Sequence, residues 1–276
     1  MTFQPVVPIG GFAGWSFLTR TRDSQQEAFN NSSVIQRNVA YFEENIGKVT
    51  SAEQLVGDRQ LLEVALGAFG LDEDINNKYF IQKVLEDGTL DDTALANRLS
   101  DTRYAALTEA FGFGDFSIPR TVLSDFPTEI SDKYKDRQFE IAVGNADQNM
   151  RLALALDRGI DEILSSGTTT DDGRWFQVMG QPPIREVFET ALGLPSSFGA
   201  LDLDLQLSGF RDRLDSRFGD GEISQFSDPE KREELVRLFL VQSDISATSA
   251  SFSGSSAALT LLQNAASSRS SLGLFG

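Results

Sequence analysis

The stretch TEISDKYKDRQFEIAVGNADQNMRLALALDRGIDEILSS, residues 128–166, runs thirty-nine residues without proline and with only Gly144 and Gly159 as glycines. Ile130, Tyr134, Phe139, Val143, Ala146, Met150, Leu154 and Ile160 recur through it every three or four residues, the period of a helix with one buried face. The spacing predicts a single long helix acting as a central strut, ended by the polar loop Gly167–Gly173.

Upstream, the spacing is again helical. Ala28, Val34, Ile35, Val39, Phe42 and Ile46 lie on one face of a predicted helix that Gly47 ends. Thr50-Ser51-Ala52-Glu53 fits a capping box, in which the Thr oxygen and the Glu side chain satisfy each other's amides. The helix it opens is predicted to reach Gly67 or Gly70. Further helices are predicted over Ile75–Leu85, closed by Asp87-Gly88, and over Thr93–Leu99 and Arg103–Phe111. Gly112–Pro127, rich in Gly, Phe and Pro, reads as a connector between two halves.

Downstream, Ile184–Leu192 is predicted helical behind Pro182-Pro183, where a first turn tolerates the missing N–H. Leu201–Leu207 alternates like a strand. Leu203, Leu207, Phe210, Leu214 and Phe218, however, form a helical stripe ending at Gly219 and Gly221, so a helix is expected. A final helix after Ser227-Asp228-Pro229 carries Leu235, Leu238, Phe239 and Val241.

Arg59-x-x-Leu62-Glu63-x-Ala65-Leu66-Gly67 returns as Arg185-x-x-Phe188-Glu189-x-Ala191-Leu192-Gly193, and Ser100-Asp101 returns as Ser227-Asp228. Two copies are too few for a solenoid. The expectation is an all-α, multi-helix bundle made of two related helical halves around a long central helix. Its body covers 23–245, with pseudo-repeats at about 50–112 and 175–242, between a flexible segment 1–22 and a Ser/Ala-rich, low-complexity tail 246–276. The nearly uncharged ends are expected to become ordered by contact within a dimer or with another protein.

Composition restricts the chemistry. The 276 residues include no histidine and no cysteine, and 41 acids outweigh 24 bases for a net charge of −17. Disulfides, thiolate chemistry, Cys-based zinc sites, Ser-His-Asp triads and zincin motifs are all excluded. Acid–base work would fall to carboxylates, Tyr or the six lysines. The acidic balance opposes nucleic-acid and anionic-membrane partners. Pro5, Pro8, Gly10, Gly11 and Gly14 interrupt the uncharged first nineteen residues, so neither a Sec-type signal nor a spanning helix is expected.

Motif by motif, the chemistry fails. Asp72-x-Asp74-x-Asn76 begins like a calcium loop but has Asn77 where glycine is needed and Lys83 where a bidentate Glu is needed. Gly47-Lys48 lacks the P-loop's first glycine, and neither a Gly-x-Ser-x-Gly elbow nor a Ser-x-x-Lys pair is present. No catalytic residue, metal or cofactor is assigned.

Candidates for partner binding are Arg59, Glu63, Arg174, Trp175, Phe176, Arg185 and Glu189. The Arg/Glu pairs, at i and i+4, read either as a duplicated structural tie or as two equivalent contacts. Gly173–Gly180 reads as an aromatic loop, either buried or offering Trp175, Phe176 and Arg174 as an interface anchor.

The segments Thr50–Leu55, Leu62–Leu71, Phe139–Gly144, Met150–Leu154 and Trp175–Gly180 resemble an uncharacterised alphaproteobacterial domain-of-unknown-function family whose members are often encoded near flagellar genes. The resemblance covers roughly Ile46–Val241. It implies a context and carries no activity. The expectation is a non-enzymatic interaction or structural protein, flagellum-associated, with a protein partner and homodimerisation as one form of contact. It would be cytoplasmic by default, with export to the flagellum as the alternative. The rival is a carboxylate-dependent enzyme or small-ligand-binding helical protein with a cleft between the halves.

Overall fold

A computed structural model describes residues 3–167 and 170–248. Among them are thirteen α-helices and no strand: an all-α multi-helix bundle. The helices are α1 Gly11–Asn30, α2 Ser33–Asn45, α3 Ala52–Gly57, α4 Arg59–Phe69, α5 Lys78–Asp87, α6 Leu95–Arg98 and α7 Arg103–Phe111. They continue as α8 Phe126–Gly144, α9 Gln148–Ser165, α10 Asp171–Met179, α11 Pro182–Ala191, α12 Leu203–Phe218 and α13 over 229–248.

The expected long helix is two. It ends at Gly144 and restarts at Gln148, where Asp147 Oδ1 accepts the amides of Asn149 at 2.9 Å and Met150 at 3.2 Å as an N-cap. So short a link folds α8 and α9 into an antiparallel hairpin, and this hairpin is the centre of the molecule. The apolar period continues in phase across the turn, so Val143 and Met150 are both fully buried although the chain reverses between them.

α4 packs along α8 and α11 along α9. Glycine permits both approaches. A Cβ on Gly67 would lie 2.8 Å from the Tyr134 ring, and one on Gly159 would lie 1.9 Å from Ile184 Cδ1. α2 leans on α4 and α8, and α10 on α9 and α11.

The helix expected from Thr50 to Gly67 or Gly70 is also divided. The cap is Ser51, one residue later than the predicted box: its hydroxyl accepts Gln54 N–H at 3.3 Å, while Gln54 Oε1 accepts Thr50 N–H at 2.7 Å. Asp58 then caps α4 through the amides of Gln60 and Leu61. In α12 the buried stripe is Gln206, Phe210 and Leu214, while Leu203 is 58% exposed. In α13 the core positions are Leu235, Val236, Phe239 and Leu240, and Val241 faces outward.

The N-terminal boundary moves. Within the segment expected to be flexible, residues from Gly11 onward are helical, with Trp15 and Leu18 buried in the same chain. Gln25 receives Val6 N–H at 2.6 Å and donates to Val6 O at 3.2 Å, fastening the extended start to α1. Arg22 pairs with Asp157 at 3.1 Å. Burial of Trp15, Leu18 and Phe29 against the hairpin orders this segment within one chain, where the sequence leads one to expect contact within a dimer or with another protein. Most of the predicted tail, 249–276, lies outside the described residues.

Candidate functional site

The seven candidate contact residues are dispersed. Arg59 donates to Asn76 at 3.3 Å and Glu63 accepts from Asn38 at 3.1 Å, so these two do not pair with each other. Arg185 and Glu189 do pair, at 2.7 Å, and Arg185 also donates to Gln206 at 2.7 Å. The repeated motif therefore sits in two different environments. Gly67 lies inside α4, whereas Gly193 follows the end of α11 with φ +64°. Pro195, two residues on, forbids continuation of that helix.

The predicted aromatic loop is helix α10. Trp175 is fully buried, stacked on Phe210 with centroids 5.1 Å apart, and its Nε1–H donates to Gly221 O at 3.0 Å. It is a core residue and cannot anchor a partner. Arg174 is half-buried beside Asp171, and of the three only Phe176 presents a large exposed apolar surface, at 42%.

Two other features stand out, and the first is the connector between α7 and α8. Phe116, Ile118, Val122 and Leu123 are 44%, 70%, 44% and 52% exposed, and Phe116, Ile118 and Leu123 line a hollow of about 530 Å³. The segment is nonetheless firmly held. Asp115 accepts Thr89 N–H at 2.6 Å, the Thr89 hydroxyl at 2.9 Å and Leu90 N–H at 3.0 Å. Burial would raise its pKa, but these donors hold it below the usual carboxylate range. At the other end, buried Thr121 donates to Val49 O at 2.6 Å, and Arg120 lies over the Phe116 ring at 5.6 Å. An anchored backbone thus presents four large apolar side chains to solvent, beside the 73% exposed Leu90.

The second feature is a polar cleft where α4, α7, the α8–α9 hairpin and α11 converge. An outer cavity of about 650 Å³ adjoins an inner one of about 80 Å³, and the inner one is lined by Arg103, Arg137, Arg151, Arg158, Asp72 and Glu140. Arg158 is held by Glu140, at 2.7 and 3.1 Å, and by Glu162 at 2.8 Å. Burial lowers its pKa, yet the two carboxylates outweigh burial and leave it raised. Arg103 is occupied by Asp101 and Gly70 O. Asp72 accepts from Gln138 at 2.6 Å, and Asp74, in the outer cavity, accepts the Tyr104 hydroxyl at 2.6 Å.

Arg137 and Arg151 are poorly compensated. The nearest carboxylate oxygen to Arg137 is Glu162 Oε2 at 3.6 Å, and burial, reinforced by Arg158, pushes its pKa down to about 10. Arg151 Nε is buried without a hydrogen-bond partner. Four arginines thus converge here alongside the carboxylates of Asp72 and Glu140. One sequence signal marks them: Arg151 and Arg158 are seven residues apart, in phase with the buried stripe of α9.

Among the described residues no group of three or more Asp or Glu is placed to hold a metal ion, and no helix is long and apolar enough to cross a membrane. No curated protein matches the chain. A crystal structure of a protein from Agrobacterium tumefaciens is similar over 88% of this chain and 99% of its own, with a TM-score of 0.70 and 24% identity, which shows a shared fold. The family model described as a protein of unknown function (DUF1217) matches residues 68–231, more than half the chain, and the chain belongs to that family.

Proposed function

We propose that this is a non-enzymatic interaction protein that docks a protein partner on the α7–α8 connector. The observation that carries this reading is the anchored apolar surface of Phe116, Ile118, Val122 and Leu123. Rigidly held apolar groups that remain exposed cost solubility and are characteristic of contact surfaces. With a net charge of −17, the chain favours a partner whose apolar segment is flanked by basic residues. A second copy of the chain carries the same net charge and suits the surface less well.

The flagellar context belongs to this proposal and is supported by the sequence resemblance alone. The partner would then be a flagellar component, met in the cytoplasm or after export. The test is the double substitution Ile118→Asp and Leu123→Asp, which touches only exposed side chains. Capture of the partner from the native bacterium is expected to be lost while the helical circular dichroism is retained. Unchanged capture by the folded variant would remove the connector as the contact.

A further inference from the structure

In a chain with 17 more acids than bases, four arginines converge on one cleft. Two of them are satisfied by the protein, as described above. The other two, Arg137 on α8 and Arg151 on α9, are only partly so: Arg137 reaches a carboxylate oxygen no closer than 3.6 Å, at Glu162, and Arg151 Nε is buried without a hydrogen-bond partner. Arg137 Nη1 lies 3.2 Å and Arg103 Nη1 3.5 Å from where a Cβ on Gly70 would be, so the guanidinium groups crowd one point. Like charges gathered out of water are costly unless an anion joins them. The inner cavity, about 80 Å³, has room for a group of carboxylate size.

The outer cavity shares Arg103, Arg151 and Asp72 with the inner one and adds three further acids, Glu73, Asp74 and Glu186. Asp72 and Asp74 are engaged within the protein, while Glu73 and Glu186 are exposed at its mouth. A polyanion such as a nucleoside triphosphate would have to pass this acidic rim. A ligand with one anionic head and a cationic body meets both zones favourably.

We infer that the cleft binds a basic α-amino acid, or a basic residue at the C-terminus of a peptide, with its carboxylate between Arg137 and Arg151 and its cationic groups toward Glu73 and Glu186. Arginine donors suit a planar carboxylate because they can meet both oxygens at once. The site shares no residue with the connector surface, so the two readings stand or fall separately.

The test is calorimetric titration of the full-length protein with L-arginine, argininamide, acetate, inorganic phosphate and a short peptide ending in arginine. Saturable binding of L-arginine or of the peptide, with argininamide weaker by roughly tenfold or more, is the expected result; whichever of the two binds more tightly identifies the source of the carboxylate. Arg151→Gln, which alters a half-buried side chain, should reproduce that loss, and so should Arg137→Gln if it folds. Retained L-arginine binding in the Ile118→Asp, Leu123→Asp variant separates this site from the partner surface. Equal binding of argininamide, tighter binding of phosphate, or no binding by any probe would overturn the inference.

Discussion

Arg137 on α8 and Arg158 on α9 meet across the hairpin on one carboxylate: Glu162 Oε2 lies 3.6 Å from Arg137 Nη2, and Glu162 Oε1 lies 2.8 Å from Arg158 Nη1. Glu140, on α8, holds Arg158 from the other side through two further bonds. The two arms of the central hairpin are thereby tied by charge as well as by apolar packing. Arg158 and Glu140 are only 14% and 9% exposed at their side chains, and removing Glu140 leaves the buried Arg158 with Glu162 still paired to it. Glu140→Gln is expected to cost about 2–3 kcal/mol in urea unfolding. Glu162→Gln, at a more exposed position, should cost about 1 kcal/mol.

Tyr134 supplies a pH dependence. Burial, joined by the nearby Glu63 and Asp72 charges and opposed by the Asn38 hydrogen bond, raises its pKa from 10.0 to about 12. Between those values the folded chain holds a proton that the unfolded chain has lost, so stability falls as pH rises through that window. The contribution to the fall is roughly 2 kcal/mol. Tyr134→Phe should be less stable by about 1 kcal/mol at pH 8, through the lost hydrogen bond, and should show a shallower decline in urea midpoint between pH 10 and 12. Parallel declines in the two proteins would contradict this assignment.

Gly67 and Gly193 occupy the same place in the repeated motif for different reasons. Gly67→Ala crowds the buried Tyr134 ring and is expected to destabilise by about 1–3 kcal/mol, despite the better helix propensity of alanine. At Gly193 nothing lies within 4 Å of the added methyl, and the cost of about 1 kcal/mol comes from φ +64°. Asparagine, which tolerates that conformation, should restore most of the loss at Gly193 and none at Gly67. Thermal unfolding of the four variants decides this.

Trp175 and Phe176 are adjacent with opposite roles. Trp175→Ala empties a stacked aromatic core and should cost about 3–5 kcal/mol. Phe176→Ala should change stability by no more than about 0.5 kcal/mol. Equal effects in chemical denaturation would contradict the placement of Trp175 in the core.

Much of the architecture was legible because apolar spacing reports helices directly: α5, α7 and α11 lie close to where the periodicity puts them. The hairpin turn was not, because Val143 and Met150 keep the same phase on either side of it and periodicity does not encode chain reversal. The N-terminal helix was hidden by the glycines and prolines before Trp15, although Trp15, Leu18 and Gln25 share one buried face. The exposed apolar surface proposed for docking lies in a segment that reads only as a connector, since sequence does not reveal that Asp115 and Thr121 pin it. The cleft was illegible for another reason: its arginines come from three helices and are separated by up to 55 positions, and only folding brings them together.

Partner docking on the connector is tested most directly by site-specific photo-crosslinking in the native organism, with the reactive amino acid at position 118 and, as a control, at Tyr79, which is 76% exposed on α5. A discrete crosslinked species containing one partner protein is expected from position 118 and none from position 79. The same diffuse background from both positions would contradict it.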